Sequence, residues 1–242
     1  MLSVRLLLSV VILMFVSCQG AKNSNNGQSG NIDAPSSTFT PISLSCPTGY
    51  VAVPFLTGYT TQDFCVAKYE MKNNSGAKSE AAGLPWVSIN RTQSITACTS
   101  IGVGYNLITV AQQETIARNI NGMATNWSDG TYNGELNTGH SDTVPFNTLA
   151  ANADDTQACE GTGQTCSNTV WSSQRRTHVL STGETIWDFS GNVHEWTKDD
   201  YNSSAVLRGG SFGGNAGVFA TLYAASPTSA SSDYGFRCVY QP

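Results

Sequence analysis

WDFSGNVHEW, running from Trp187 to Trp196, is the stretch on which the reading of this chain turns. Asp188 and Glu195 place two carboxylates seven residues apart, and Gly191 between them permits a tight backbone turn. Hard oxygen ligands from a looped backbone are what Ca²⁺ takes, about six to eight of them. The alternative is that Asp188 and Glu195 are hydrogen-bonded to turn amides or to Arg208, with no ion. Two further strings follow in order, LRGGSF from Leu207 to Phe212 and GFRC from Gly235 to Cys238.

Upstream, QRRTHVL, the turn STGE and TIWDF read as a hairpin running into the first string. From Asn121 to about Trp171 the chain is rich in Gly, Asn, Asp and Thr, a loop so long that it must carry function or be pinned. Before it, Thr109 with Gln112 has capping-box form and opens the helical run VAQQETIARNI. Asn90 with Gln93 opens another, with Ile95, Cys98 and Ile101 on one face. Both helices are short, so packing must hold them. YNLIT, SCPTGYVAVP and DFCVAKYEMKN read as strands.

At the other end, Leu6 to Val16 (LLLSVVILMFV) follows the single cation Arg5 and has the length of a signal-peptide core, too short to span a bilayer. Ser17 and Cys18 close it, so residues 1–17 read as a lipoprotein signal peptide with Cys18 as the lipidated residue. Buried acyl methylenes contribute about 0.8 kcal/mol each, which anchors a protein to membrane with no spanning helix. Residues 18–44 are poor in large apolar side chains and read as a flexible tether. Residues 45–242 have the size of one domain. Only 12% of residues are charged, 23 are Gly and the net charge is −5, which argues against a nucleic-acid partner. Gly102 and Gly104 open a G-x-G with no third glycine, and no G-x-S-x-G elbow exists for a serine hydrolase.

Taken together, the three C-terminal strings resemble the formylglycine-generating enzyme (sulfatase-modifying factor) domain family, whose α+β fold is C-type-lectin-like, with short helices, small twisted sheets and much irregular loop. The K-Y-E triplet Lys68, Tyr69 and Glu70 resembles the family's opening strand. The Ser17–Cys18 junction resembles a bacterial lipobox, and Gln19 after it the sorting pattern for the outer membrane of a Gram-negative envelope, with the domain surface-exposed. In the catalytic members, the cysteines that bind copper lie three and eight residues after the serine of RGGS. Gly214 and Phe219 stand there, so the resemblance implies a non-catalytic branch that needs no copper. It also implies a Ca²⁺ site from Asp188, Gly191, Val193 and Glu195, with His194 a packing residue where the family often has tryptophan.

Six cysteines besides Cys18 form an even set in an exported chain. The resemblance selects Cys98 with Cys238. Cys159 and Cys166 enclose a short Gly-rich loop and are expected to pair locally, which leaves Cys46 with Cys65. A metal–thiolate site is disfavoured, since there is no CxxC and His140, His178 and His194 are scattered.

The segment between RGGS and GFRC resembles the ligand-binding surface of the variable proteins of diversity-generating retroelements, and its Ala, Ser, Gly and Tyr palette is like that of antibody loops. Phe212, Thr221, Tyr223, Ser229, Ser231, Asp233 and Tyr234 are the candidate ligand-facing residues. The expected function is a non-catalytic surface lipoprotein that binds a protein or glycan on another cell or phage. The alternatives are a metal-dependent oxidase or oxygenase and a structural envelope lipoprotein. Cys18→Ser is expected to release the protein from the membrane fraction and to abolish incorporation of labelled fatty acid.

Overall fold

Two capping boxes start the two helices, as their spacing predicts. In α1 (Arg91–Thr99) the Asn90 side chain accepts the Gln93 N–H at 2.9 Å, and Gln93 Oε1 accepts the Asn90 N–H at 3.0 Å. In α2 (Val110–Asn121) Thr109 and Gln112 repeat the exchange at 3.1 and 2.9 Å, and the helix ends at Gly122. The computed structural model describes residues 44–142, 146–151, 173–201, 203–224 and 226–242, with the side chains of residues 223 and 224 excepted. All of them lie in one compact unit, Ala34–Pro242. Cys18, the signal peptide and residues 18–43 of the tether lie outside the described residues.

The strands, in chain order, are β1 (Tyr50–Val53), β2 (Phe64–Ala67), β3 (Lys72–Asn73), β4 (Ala77–Lys78), β5 (Tyr105–Leu107), β6 (Thr177–Val179), β7 (Thr185–Trp187), β8 (His194–Tyr201), β9 (Ser204–Arg208), β10 (Thr221–Ala224), β11 (Tyr234–Phe236) and β12 (Cys238–Tyr240). One sheet has the order β1-β2-β12-β5 and is antiparallel throughout. The other has the order β10-β9-β8-β11, and in it β11 runs parallel to β8 with Tyr234 opposite His194 and Phe236 opposite Trp196. The hairpin expected before the WDFSGNVHEW string is β6–β7, with Thr177 opposite Trp187.

GFRC is where the chain changes sheet. Phe236 ends β11 in one, Cys238 begins β12 in the other, and Arg237 is the single residue between them. Two apolar clusters flank this crossing. One gathers Val53, Phe64, Val66, Ile108, Ile116, Ile120, Ile186, Phe189 and Val239. The other gathers Met71, Ile89, Cys98, Leu107, Trp196, Leu207 and Phe236. Each fully buried aliphatic or aromatic side chain contributes about 1.5–3 kcal/mol.

α1 needs outside support. Of its nine residues only Ser94 and Cys98 are fully buried, and a helix of that length does not persist alone. A disulfide from Cys98 to Cys238 ties it to β12, and a second joins Cys46 to Cys65. Cys159 and Cys166 lie outside the described residues. The start of the long loop is pinned, as its composition requires: Asn126 donates to the carbonyls of Ile120 and Val179, each at 2.9 Å, and accepts the Val179 N–H at 2.8 Å.

Because Cys98 and Cys238 are 140 residues apart, their bridge removes much freedom from the unfolded chain. The double substitution Cys98→Ala/Cys238→Ala is expected to cost about 2–5 kcal/mol, read as a lower urea midpoint.

Candidate functional site

Both carboxylates of the WDFSGNVHEW string are buried and paired. Arg176 donates Nε–H and Nη2–H to Asp188 Oδ1 and Oδ2 at 2.6 and 2.5 Å, with both side chains 1% exposed. Arg237 donates Nε–H and Nη2–H to Glu195 Oε1 at 2.9 and 2.6 Å, while Gln113 donates to Oε2 at 2.9 Å. Gly191 has φ +78°, and a Cβ there would fall 2.6 Å from the His140 carbonyl oxygen, so the turn requires glycine. The Val193 N–H is donated to Glu70 Oε1 at 3.2 Å.

This arrangement bears on the calcium expectation for Asp188, Gly191, Val193 and Glu195: the Asp188 oxygens and Glu195 Oε1 accept from two guanidinium groups and Glu195 Oε2 from Gln113, so an ion there would have to displace these donors. Among the described residues no group of three or more His, Cys, Asp or Glu could hold a metal. The paired cations are Arg176 and Arg237, whereas Arg208, the partner considered from sequence, binds Glu114 at 2.8 Å. Two more buried ionisable groups share the region. Burial, helped by Asp188, pushes the Glu70 carboxyl well above the usual carboxylate range, and burial pulls the Lys72 ammonium down. His194 is buried with its ring edge-on to Tyr234 at 5.8 Å, the packing role expected of it.

The RGGS turn leads to Gly214 and Phe219, the two positions singled out from the resemblance. Gly214 sits at φ +119°, and a Cβ there would lie 3.0 Å from Asp142 Oδ1 and 3.3 Å from Oδ2. An acidic side chain thus abuts the place of a thiol. Phe219 is 40% exposed, 6.0 Å from the Arg118 guanidinium, which also lies over the Tyr59 ring at 4.6 Å. Arg118 pairs with Glu114 at 2.9 Å, one turn back on α2, and Glu114 continues to Arg208, which donates to Thr221 at 2.6 Å. Beside this relay is a cleft of about 460 Å³ lined by Tyr59, Glu114, Asp199, Tyr201, Arg208 and Thr221.

Residues 47–242 match the profile of the sulfatase-modifying factor enzyme 1-like domain. The chain belongs to this family. In fold it is similar to Treponema denticola variable protein 1 (16% identity over 75% of this chain and 85% of that one, TM-score 0.41). It is also similar to CarF (16% identity, 81% and 99% covered, TM-score 0.46) and to the U1 variant of the Major Tropism Determinant (16% identity, 81% and 53% covered, TM-score 0.47). The curated proteins contain no match to the chain.

The candidate ligand-facing residues of this sulfatase-modifying-factor-like domain do not share one face. Thr221 lines the cleft. The backbone of Phe212 is held in the RGGS turn, its N–H donated to the Asn192 carbonyl and its own carbonyl accepting the Asp142 N–H, both at 3.0 Å. Asp233 accepts from Ser211 and Ser231, and Tyr234 packs edge-on against Trp196 at 5.5 Å, and both are half-buried. Ser229 caps a local turn through the Ser226 carbonyl. Ser231 also accepts the Ser88 N–H at 2.9 Å and Pro227 the Arg91 N–H at 3.1 Å. These contacts seat the segment beside a second hollow of about 800 Å³ whose lining includes Trp86, Ile89 and Thr92. The Tyr223 side chain lies outside the described residues.

Tyr59, Tyr201 and Arg118 were not legible as site residues. The spacing of Glu114 and Arg118 on one helix was the available signal, and it indicates only an ion pair.

Arg237→Met strands Glu195 in the interior and is expected to cost about 3–5 kcal/mol, read by chemical denaturation. Saturating Ca²⁺ and excess EDTA are expected to leave the thermal midpoint unchanged; a rise with Ca²⁺ would reinstate the metal site.

Proposed function

We propose that this domain is a non-catalytic recognition module that binds a protein ligand through the cleft beside β10, on a lipoprotein of the bacterial outer membrane. The observation that carries the reading is the replacement of the two catalytic cysteines: Gly214 has no side chain and faces Asp142, and Phe219 presents a ring to solvent. Neither supplies a copper ligand. Oxidation of a substrate thiol therefore lacks its metal-binding pair here.

The same replacements favour binding. Tyr59 and Tyr201, 40% and 50% exposed, line a cleft with Glu114 and Arg208, and Phe219, 40% exposed, stands beside Arg118 at the end of the charge relay. Aromatic side chains and arginine are the residues that dominate protein–protein hot spots, since they cover large area at small entropic cost. The relay also keeps Arg118 and Arg208 in place before a ligand arrives, which lowers the ordering cost of association. A glycan ligand is the second reading, supported by the same rings as stacking platforms, and a lipid-anchored position suits either.

The test is capture of surface proteins or glycans by the purified domain. Phe219→Ala and Arg118→Ala are each expected to weaken retention of the captured partner by about tenfold. Val103→Ser, on the turn before β5, should not change it. Capture insensitive to both variants points to a structural role. Copper-dependent turnover of a Cys-containing peptide returns the enzyme reading.

A further inference from the structure

Arg118 ends the charge relay, and its donors are largely unspent. Nη2 meets Glu114 Oε1 at 2.9 Å, with the Arg118 side chain 43% exposed, while Nε and Nη1 donate to no acceptor among the described residues. Glu114 has a second guanidinium to serve, since its Oε2 accepts from Arg208 at 2.8 Å. Two cations therefore share one carboxylate. The other acid of the cleft, Asp199, accepts the Val110 N–H at the start of α2 and pairs with neither arginine.

The same guanidinium is held by two rings, lying over Tyr59 at 4.6 Å and near Phe219 at 6.0 Å. Tyr59 belongs to a turn fastened to α2. The Tyr59 and Thr60 N–H groups are donated to the Leu56 carbonyl, each at 3.0 Å, and the Thr60 and Thr115 hydroxyls meet at 3.3 Å. Phe219 belongs to a turn closed by the Ala220 N–H on the Gly217 carbonyl at 2.8 Å. The Gly209 N–H, donated to the Ala220 carbonyl at 3.1 Å, ties that turn to the end of β9. Two fastened turns from distant parts of the chain thus converge on one planar cation. Stacking fixes the plane of its fork, and the ring faces beside it displace water that would screen its charge.

We infer that Arg118 anchors an acidic side chain of the protein ligand: an Asp or Glu of the partner takes the donors that Glu114 leaves unused, and an apolar residue beside it lies against Tyr59 and Phe219. The inference rests on the recognition reading above and gives the partner its chemistry. A carboxylate there forms a charge-assisted hydrogen bond and completes the neutralisation of Arg118, Glu114 and Arg208, two cations then meeting two anions. A basic or uncharged side chain at this place leaves the surplus positive charge unmet. Because the rings hold the guanidinium before the partner arrives, little freedom is lost on binding.

Panning a random peptide display library on the purified full chain in detergent, beside its Arg118→Gln, Glu114→Gln and Phe219→Ala variants, tests this. The wild-type chain is expected to enrich peptides with Asp or Glu next to an aromatic or aliphatic residue, and Arg118→Gln to lose the acidic preference. A synthetic peptide from the wild-type pool should bind about tenfold more weakly once its acid is changed to the amide, and that change should not alter binding to Arg118→Gln. Added salt should weaken the acidic peptide and not the amide form. Glu114→Gln, which frees both guanidinium groups, should bind the acidic peptide more tightly, a gain that misfolding cannot imitate; weaker binding overturns the inference. Peptides that need Phe219 but show no acidic preference also overturn it and leave the recognition reading standing. So does an acidic preference that persists in Arg118→Gln, which moves the anchor to another cation, and so does binding confined to acidic sugars on a glycan array. Enrichment identical for the wild-type chain and all three variants removes the recognition reading itself, and the inference with it.

Discussion

One guanidinium holds the two sheets in register. Arg237, at the crossing from β11 to β12, donates to Glu195 on β8, to the Ala67 carbonyl on β2, and to the Trp187 and Asp188 carbonyls at the end of β7. A fork of fixed N–H groups can satisfy several segments at once, which a lysine or an apolar residue at this place could not do. Without it, Glu195 is a buried charge with only Gln113 to bind, and the carbonyls that end β7 lose their donor. The signature turn, the parallel pairing of β8 with β11 and the position of the RGGS turn all depend on this one side chain.

The same pairing occupies the carboxylates of the signature string. Two arginines and two acids, each pair mutually neutralised, fill the region where a looped backbone with two carboxylates suggested calcium. Among the described residues, Lys72 is a buried amine that this pairing does not reach. The surface near β10 differs in kind. There a chain of charges runs from buried Arg208 through Glu114 to the more exposed Arg118, beside exposed aromatic rings.

Much of the fold could be read before any coordinates. Asn90–Gln93 and Thr109–Gln112 mark helix starts because capping is a matter between residues three apart. Gly191 and the hairpin before Trp187 are equally local. The family membership followed from three short strings, and with it the Cys98–Cys238 bridge. The candidate ligand-facing set was less legible. Asp233 and Tyr234 look like surface residues in a Ser-rich run, yet the parallel pairing of β11 with β8 turns them toward Ser211, His194 and Trp196.

What the amino-acid sequence alone determined is what depends on near neighbours and on residue type: helix starts, turns, the lack of thiols at positions 214 and 219, and the family. Only the tertiary structure decided which charge meets which. Arg176 lies 12 residues from Asp188, Arg237 lies 42 from Glu195, and Glu70 lies 122 from Asn192. Partners at such separations are chosen by how sheets cross and what is left buried between them, and no local pattern in the chain encodes that choice.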